Sequence, residues 1–324
     1  MSADPVRAIA DAVLYEGYVL WPYRRSALKN QRRWTFGGVY PRAHSEGRED
    51  DPWTMRTEVL LEGGEDASVE VSVRFLHVVE RRVGRATAAG LEWVDELVVD
   101  GERHLAWDEA VERELHLAAG DRLPIAIAAG ERSEPLGDAG ALVRRWEALE
   151  GTVETEIEPL GGGLRRIAVE IANTTPWPGG DREEALRRTF CSTHTVLRAA
   201  GGEFVSPTDP PERLREAAAA CRNVGTWPVL VGEREERHTL LSSAIILEDH
   251  PRVAPESPGD LFDGGEIDQM LVLNILTLTD EERADMRDAD PRTREILERT
   301  EGLTEEELMR LHGAIREFGM ARGR

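Results

Sequence analysis

The sequence predicts an α+β protein with an antiparallel β-rich core, a sandwich or strongly bent sheet, followed by a C-terminal helical segment. Three observations predict it. From about residue 55 to 175 apolar residues recur at every second position, as Val69, Val71, Val73 and Phe75 do among Ser, Glu and Arg. That period belongs to antiparallel strands with one face in a core and one in water. The runs are punctuated by turn residues, most plainly Gly161-Gly162-Gly163. Near the end of the chain the signals become helical. Thr279 with Glu282, and Thr304 with Glu307, match capping boxes, in which the Thr oxygen accepts a free backbone N–H and the Glu returns the bond.

The elements follow in order. Residues 5–14 predict a short helix, with Pro5 at its start and Val6, Ile9, Val13 and Leu14 on one face. Val111, Leu115 and Leu117 continue the alternating pattern. Val153, Thr155 and Ile157 are expected to pair with Ile167, Val169 and Ile171 across the triple glycine. Residues 181–188 look helical and 189–197 look like a strand. Pro210-Pro211 opens a helix running to about Cys221. Residues 229–231 and 240–247 read as buried strands, and Asp290-Pro291 marks another helix start. Pro251, Pro255 and Pro258 interrupt regular structure. The expected division is a helix and basic–aromatic segment over 1–50, a β-rich α+β core over 51–255, and a helical region over 256–324.

Composition narrows the function classes. A chain of 324 residues with 40% hydrophobic and 31% charged residues is globular. Its formal charge of −22 repels nucleic acid and anionic membrane over most of the surface. No apolar run approaches the roughly 20 residues that cross a bilayer, so no membrane insertion is expected. The start, Met1-Ser2-Ala3-Asp4-Pro5, has an early acid and no basic region before an apolar stretch. A cytoplasmic protein is therefore expected. Two cysteines, Cys191 and Cys221, make no disulfide framework and suit a reducing compartment. No GKS or GKT, HExxH, GxSxG or dinucleotide fingerprint occurs in context, so no cofactor is expected and no catalytic residue is assigned.

Three segments carry candidate chemistry. Residues 17–45 hold no acid, where about five or six would occur at the chain's average frequency. They contain Arg24, Arg25, Lys29, Arg32, Arg33 and Arg42, interleaved with Trp21, Tyr23, Trp34 and Phe36. Rings of this kind stack on guanidinium groups. One reading is a docking surface for an acidic partner, with Trp21, Tyr23, Arg24, Arg25, Lys29, Arg32, Arg33 and Trp34 as the binding residues. The other is that the arginines pair with the chain's own carboxylates while the rings fill core.

Cys191-Ser192-Thr193-His194 has a C-x₂-H spacing that can bring two ligands to one nickel or zinc ion, with Cys221 and His238 available to complete the set. If 189–197 is a regular strand, however, Cys191 and His194 point to opposite faces. Buried cysteine is more often packed core. The third segment is acidic and proline-rich, from Glu248-Asp249-His250-Pro251 to Asp268. Its carboxylates at 260, 263, 266 and 268 suggest a hard-cation site, and Glu256 with Asp260 a hydrolase, or else the segment is a rigid connector capping the next helix.

Four blocks carry a resemblance. They are Tyr15-Glu16-Gly17-Tyr18-Val19-Leu20-Trp21-Pro22-Tyr23-Arg24 with Lys29-Asn30-Gln31; Asn173-Thr174-Thr175-Pro176-Trp177; Cys221-Arg222-Asn223-Val224-Gly225-Thr226-Trp227-Pro228-Val229-Leu230; and Ala254-Pro255-Glu256-Ser257-Pro258-Gly259-Asp260-Leu261-Phe262-Asp263. Over about residues 14–316 the chain resembles an uncharacterised actinobacterial-type family encoded with high-affinity NiFe-hydrogenase gene clusters. The resemblance implies an accessory or assembly role beside a hydrogenase, with a hydrogenase subunit or maturation factor as partner. It implies no reaction.

Overall fold

The computed structural model describes residues 5–15, 36–251, 275–289 and 291–303. The fold is α+β, a large antiparallel sheet with few helices. Its organising element is one strand, β1 (Thr54–Thr87), of 34 residues. A straight strand of that length would run roughly 110 Å, against a globule about 50 Å across, so β1 has to bend. It does so where its register slips, between Gly63 and Ser68.

The strands that follow are β2 (Gly90–Val94), β3 (Glu96–Val99), β4 (Glu102–Leu105), β5 (Trp107–Ala118), β6 (Arg122–Ile127), β7 (Gly130–Leu136), β8 (Gly140–Trp146), β9 (Leu149–Gly161) and β10 (Leu164–Asn173). Then come β11 (Cys191–Phe204), β12 (Trp227–Leu230) and β13 (Thr239–Ser243). The helices are α1 (Pro5–Tyr15), α2 (Arg42–Ser45), α3 (Arg182–Leu186), α4 (Arg215–Ala219), α5 (Asp280–Ala289) and α6 (Pro291–Glu301). No helix among the described residues is long and apolar enough to cross a membrane.

Pairing closes the sheet on itself. The first part of β1 lies beside β10, β10 beside β9, and β9 beside β6. After a turn at Gly120-Asp121, β6 continues from β5, which returns to the second part of β1. The Thr155 hydroxyl pins that corner. It accepts the Gly120 N–H at 2.8 Å and lies 2.7 Å from the Asp121 carbonyl. Odd-numbered residues of β1 point inward. Val59, Leu61, Val71, Val73 and Phe75 meet Val153, Ile167, Val169 and Ile171 in the enclosed core. Burying each such side chain stabilises the fold by about 1.5–3 kcal/mol. The register sets Val153 opposite Ile171, Thr155 opposite Val169 and Ile157 opposite Ile167 across the glycine turn, the pairing expected from the sequence.

Of the even-numbered residues of β1, which face outward, Arg74, Leu76 and Val78 are covered by helices, whereas Ser68 and Glu70 stay exposed. Val6, Ile9, Ala10 and Val13 of α1 pack on Val196, Val229, Val231 and Leu241. Leu14 and Tyr15 join Leu76, Val78 and Trp107, together with Met286 of α5 and Ile296 and Leu297 of α6. The capping box read at Thr279 and Glu282 forms at the start of α5, and a second one, which the sequence reading did not name, joins Asp181 and Glu184 at the start of α3. The box at Thr304 and Glu307 lies outside the described residues.

Two of the four blocks behind the resemblance are backbone anchors. Asn173 donates its amide to the carbonyls of Val39 and Arg188, both at 2.8 Å, and accepts the Thr175 N–H at 2.9 Å. Asn223 accepts the Glu58 N–H at 2.9 Å, while the Glu58 carboxylate accepts the Arg222 N–H at 2.7 Å. Buried backbone groups at the ends of strands need such partners.

Gly151 sits where β9 passes close to β10. A Cβ there would lie 2.3 Å from the Ala172 carbonyl oxygen and 2.9 Å from the Phe190 ring. Gly151→Ala is expected to cost about 2–3 kcal/mol by overpacking, read as a lower urea midpoint with an unchanged slope.

Candidate functional site

The eight residues Trp21, Tyr23, Arg24, Arg25, Lys29, Arg32, Arg33 and Trp34 lie outside the described residues. The C-terminal end of their segment is described. Phe36 is exposed. Gly37 has φ +59° and passes beside the backbone of Thr193. Val39 bridges to Phe190 at the start of β11. The Arg42 guanidinium stacks 4.7 Å above the Trp53 ring.

Just beyond this end is a buried polar group that sequence reasoning missed. His44, buried on α2, stacks on Tyr40 with ring centroids 5.3 Å apart and meets the edge of Trp177 at the same separation. Its Nε2 lies 3.0 Å from Asp51 Oδ2. Arg182 donates to the Tyr40 hydroxyl at 3.0 Å. Burial pushes the Tyr40 phenol well above its usual range, Asp51 adds to that, and Arg182 opposes it. A neutral phenol and an imidazole–carboxylate pair can hold protons in place. They also rivet α2 onto the segment after β10. The one sequence signal was Trp177, which stood in a resemblance block without a role.

The C-x₂-H pair is placed differently from the regular-strand expectation. Ser192 takes φ +51°, and β11 bulges by one residue between its pairings with Arg74 and Leu76. The bulge restores phase, so Cys191 stands opposite Leu76 and His194 opposite Arg74, on one face of the sheet. The expectation of opposite faces is corrected by that extra residue.

Sharing a face does not make a metal site with Cys221. Cys191 is in the apolar cluster with Leu76, Leu186 and Tyr40. Cys221 packs with Leu60, Val205 and Leu214, and its thiol donates to the Ala217 carbonyl. Burial raises the Cys221 thiol, with Arg166 opposing. Exposed His238 bonds through its Nδ1 to the Gly202 carbonyl. Among the described residues, no three of His, Cys, Asp and Glu gather to hold a metal ion.

His194 belongs instead to a charged group under α1. Arg74, 2% exposed, bonds to Asp11 of α1 at 2.6 Å and to Glu112 of β5 at 3.4 Å. Tyr15 donates to Glu112 at 2.6 Å, and Arg7 to Glu114 at 3.2 Å. Asp11 through Arg74, and Tyr15 through Glu112, thus tie one side of α1 to the sheet, and the carboxylates offset part of the cost of burying the guanidinium. Burial, then the Arg74 charge, drives the His194 pKa down to about 3. Burial and Arg113 drive His77 down to about 4.

Of the acidic connector, Glu248 to Pro251 is described and residues 252–274 are not. Asp249 accepts the Leu230 N–H at 2.8 Å and the Thr208 hydroxyl at 2.7 Å, and the Ser206 hydroxyl reaches the same oxygen. That is a structural cap on β12. Glu256, Asp260, Asp263, Glu266 and Asp268 lie outside the described residues.

A polar cleft of about 480 Å³ lies between β8, the β3–β4 hairpin and α6. Three of its arginines are matched internally. Glu109 takes Arg81 at 2.9 Å and Arg144 at 2.7 Å, and Arg103 takes Asp285 at 2.7 Å. It serves to clamp the C-terminal helices. No family model matches this chain, and no curated protein matches it.

Two measurements test these assignments. Arg74→Ala leaves Asp11, Glu112 and Glu114 crowded without their shared counter-charge. A loss of about 3 kcal/mol in chemical denaturation is expected, at the low end because the carboxylates touch water. His194 and His77 stay neutral in the fold, while the unfolded chain takes up protons below the ordinary 6.5. Their contribution is whole above that pH and falls as pH drops toward 4 and then 3. Between pH 7 and 5 the stability of a His77→Gln, His194→Gln double variant should therefore fall less steeply than that of the wild type.

Proposed function

We propose that this chain is a non-enzymatic accessory or assembly protein that acts by binding another protein, and that its setting is a NiFe-hydrogenase. The carrying observation is charge segregation. A chain of net charge −22 keeps one stretch, residues 17–45, with six cations and no acid. Such a stretch attracts an acidic partner at long range and fixes its register at contact.

Features of the described end support this reading. Phe36 stands exposed, and Arg42 lies on an indole without a carboxylate partner among the described residues. Arg56, by contrast, is held by the chain's own acids, Glu58 and Glu170, at 2.8 and 2.9 Å. The binding residues proposed are Trp21, Tyr23, Arg24, Arg25, Lys29, Arg32, Arg33 and Trp34. Stacked guanidinium groups recognise carboxylates through paired N–H donors, which gives direction as well as charge. The hydrogenase setting rests on the resemblance of the four sequence blocks, and the partner it implies is a hydrogenase subunit or maturation factor.

Replacing Arg24, Arg25, Arg32 and Arg33 together by Glu tests this. Pull-down from extracts of cells expressing the hydrogenase should lose the partner, a fall of about a hundredfold or more. The far-ultraviolet circular dichroism and melting temperature should stay as in the wild type. Undiminished retention by the folded variant overturns the docking assignment.

A further inference from the structure

A different surface, of opposite charge, carries a second inference. Edge strands expose unpaired backbone groups and are normally blunted by proline, charge or a covering loop. The other edges of the main sheet follow that rule. Pro124 lies in β6, Pro135 in β7 and Pro228 in β12. The outer side of β12 is further covered by Asp249 and by His250, whose N–H reaches the Leu230 carbonyl at 2.7 Å. Along β5 the charges are Asp108, Glu109, Glu112, Arg113 and Glu114.

β2 breaks the rule. Among the described residues it pairs with β1 alone, and it has no proline and a single charge, Glu92. Ala86 gives its N–H to Ala139, on the far side of β1 from β2. In an antiparallel ladder the residues that bond across to β2 are then Arg85 with Glu92 and Val83 with Val94. The N–H and C=O of Leu91 and Trp93 therefore point outward.

The same two residues carry exposed side chains, 41% for Leu91 and 44% for Trp93. The Arg82 guanidinium, 3.9 Å over the Trp93 ring, holds the indole in place. Across the sheet the row from Trp93 runs through Gly84 and Ala141 to Pro135, without a charge.

The surroundings say what fits. Residues 86–102 contain five acids, Glu92, Asp95, Glu96, Asp100 and Glu102, and neither Lys nor Arg. Glu92 and Glu96 have neighbours in Arg85 and Arg103 at 3.7 and 3.2 Å, yet both stay more than half exposed. A second copy fits less well. In the register that sets Leu91 opposite Trp93 of the copy, antiparallel pairing of two β2 edges puts Glu92 against its own copy, and like charges directly opposite destabilise a ladder. We propose that the outer edge of β2 docks an extended, cationic segment of a partner protein, which adds to the sheet as one more antiparallel strand. The main-chain bonds of Leu91 and Trp93 supply the pairing, Trp93 and Leu91 take the apolar side chains, and the acids select Lys or Arg at the alternate positions.

The probe is a labelled peptide of alternating Lys and Val, titrated into the full chain by fluorescence anisotropy. A peptide of Lys and Pro with equal charge reports binding by charge alone. Leu91→Pro removes one outward N–H while leaving the ladder to β1 intact, and Trp93→Ala removes the indole.

The expected result is binding of the Lys–Val peptide that weakens about tenfold or more in each variant, the scale of one lost main-chain bond. The Lys–Pro peptide should bind weakly and equally to all three proteins. Equal binding of both peptides, or of the Lys–Val peptide to the wild type and both folded variants, overturns the proposal. A wild-type dimer in sedimentation equilibrium that Leu91→Pro abolishes would also overturn it, assigning the edge to self-association. The four-arginine variant should bind the Lys–Val peptide at least as well as the wild type, which separates this surface from the first.

Discussion

Every backbone N–H and C=O along β1 needs a partner, and 34 consecutive residues of extended chain present them on both edges. The rest of the architecture is the answer to that demand. β10, β5 and β2 follow one another along one edge, and β11 and β8 along the other. The bend at Gly63–Ser68 lets the same edge be served twice, by β10 before it and β5 after it. This wraps the sheet round a closed apolar core. Part of the outward face of the strand then has to be covered by something, and α1, α5 and α6 cover it.

Arg74 shows what that covering costs and provides. A guanidinium at 2% exposure is tolerated only with acids around it. Those acids come from α1 and β5, elements far apart in sequence. The ion group therefore fixes where the first helix sits. The basic–aromatic segment begins just after that helix and ends in α2, which is itself riveted by His44, Tyr40 and Asp51. The helix before the proposed docking segment and the helix that closes it are thus both anchored on the fold by polar groups.

Function on such a scaffold lies in departures from its own rules. Two places are proposed to carry it: the stretch 17–45, with six cations and no acid, and the outer edge of β2, with no proline and a single charge. The two proposed surfaces differ in the sign of their charge and would take different partners. Motif-like residues elsewhere have ordinary duties. Asn173 and Asn223 are specific because an amide, with both a donor and an acceptor, can satisfy two backbone groups at once.

The sequence by itself determined the fold class, the strand period, the β9–β10 register and the cap of α5. Each of these depends on neighbours within about twenty residues, where alternation, glycine and side-chain oxygen act directly on the backbone. The tertiary structure alone decided the closure of the sheet, the faces of Cys191 and His194, the counter-ions of Arg74 and the open edge of β2. A one-residue bulge at Ser192 inverts a two-residue period, and nothing in Cys-Ser-Thr-His announces it. The partners of Arg74 stand 63 and 38 residues away. Which strand is left without a neighbour depends on every other pairing in the sheet. Local chemistry is written along the chain, whereas burial and pairing between distant segments exist only once the chain has folded.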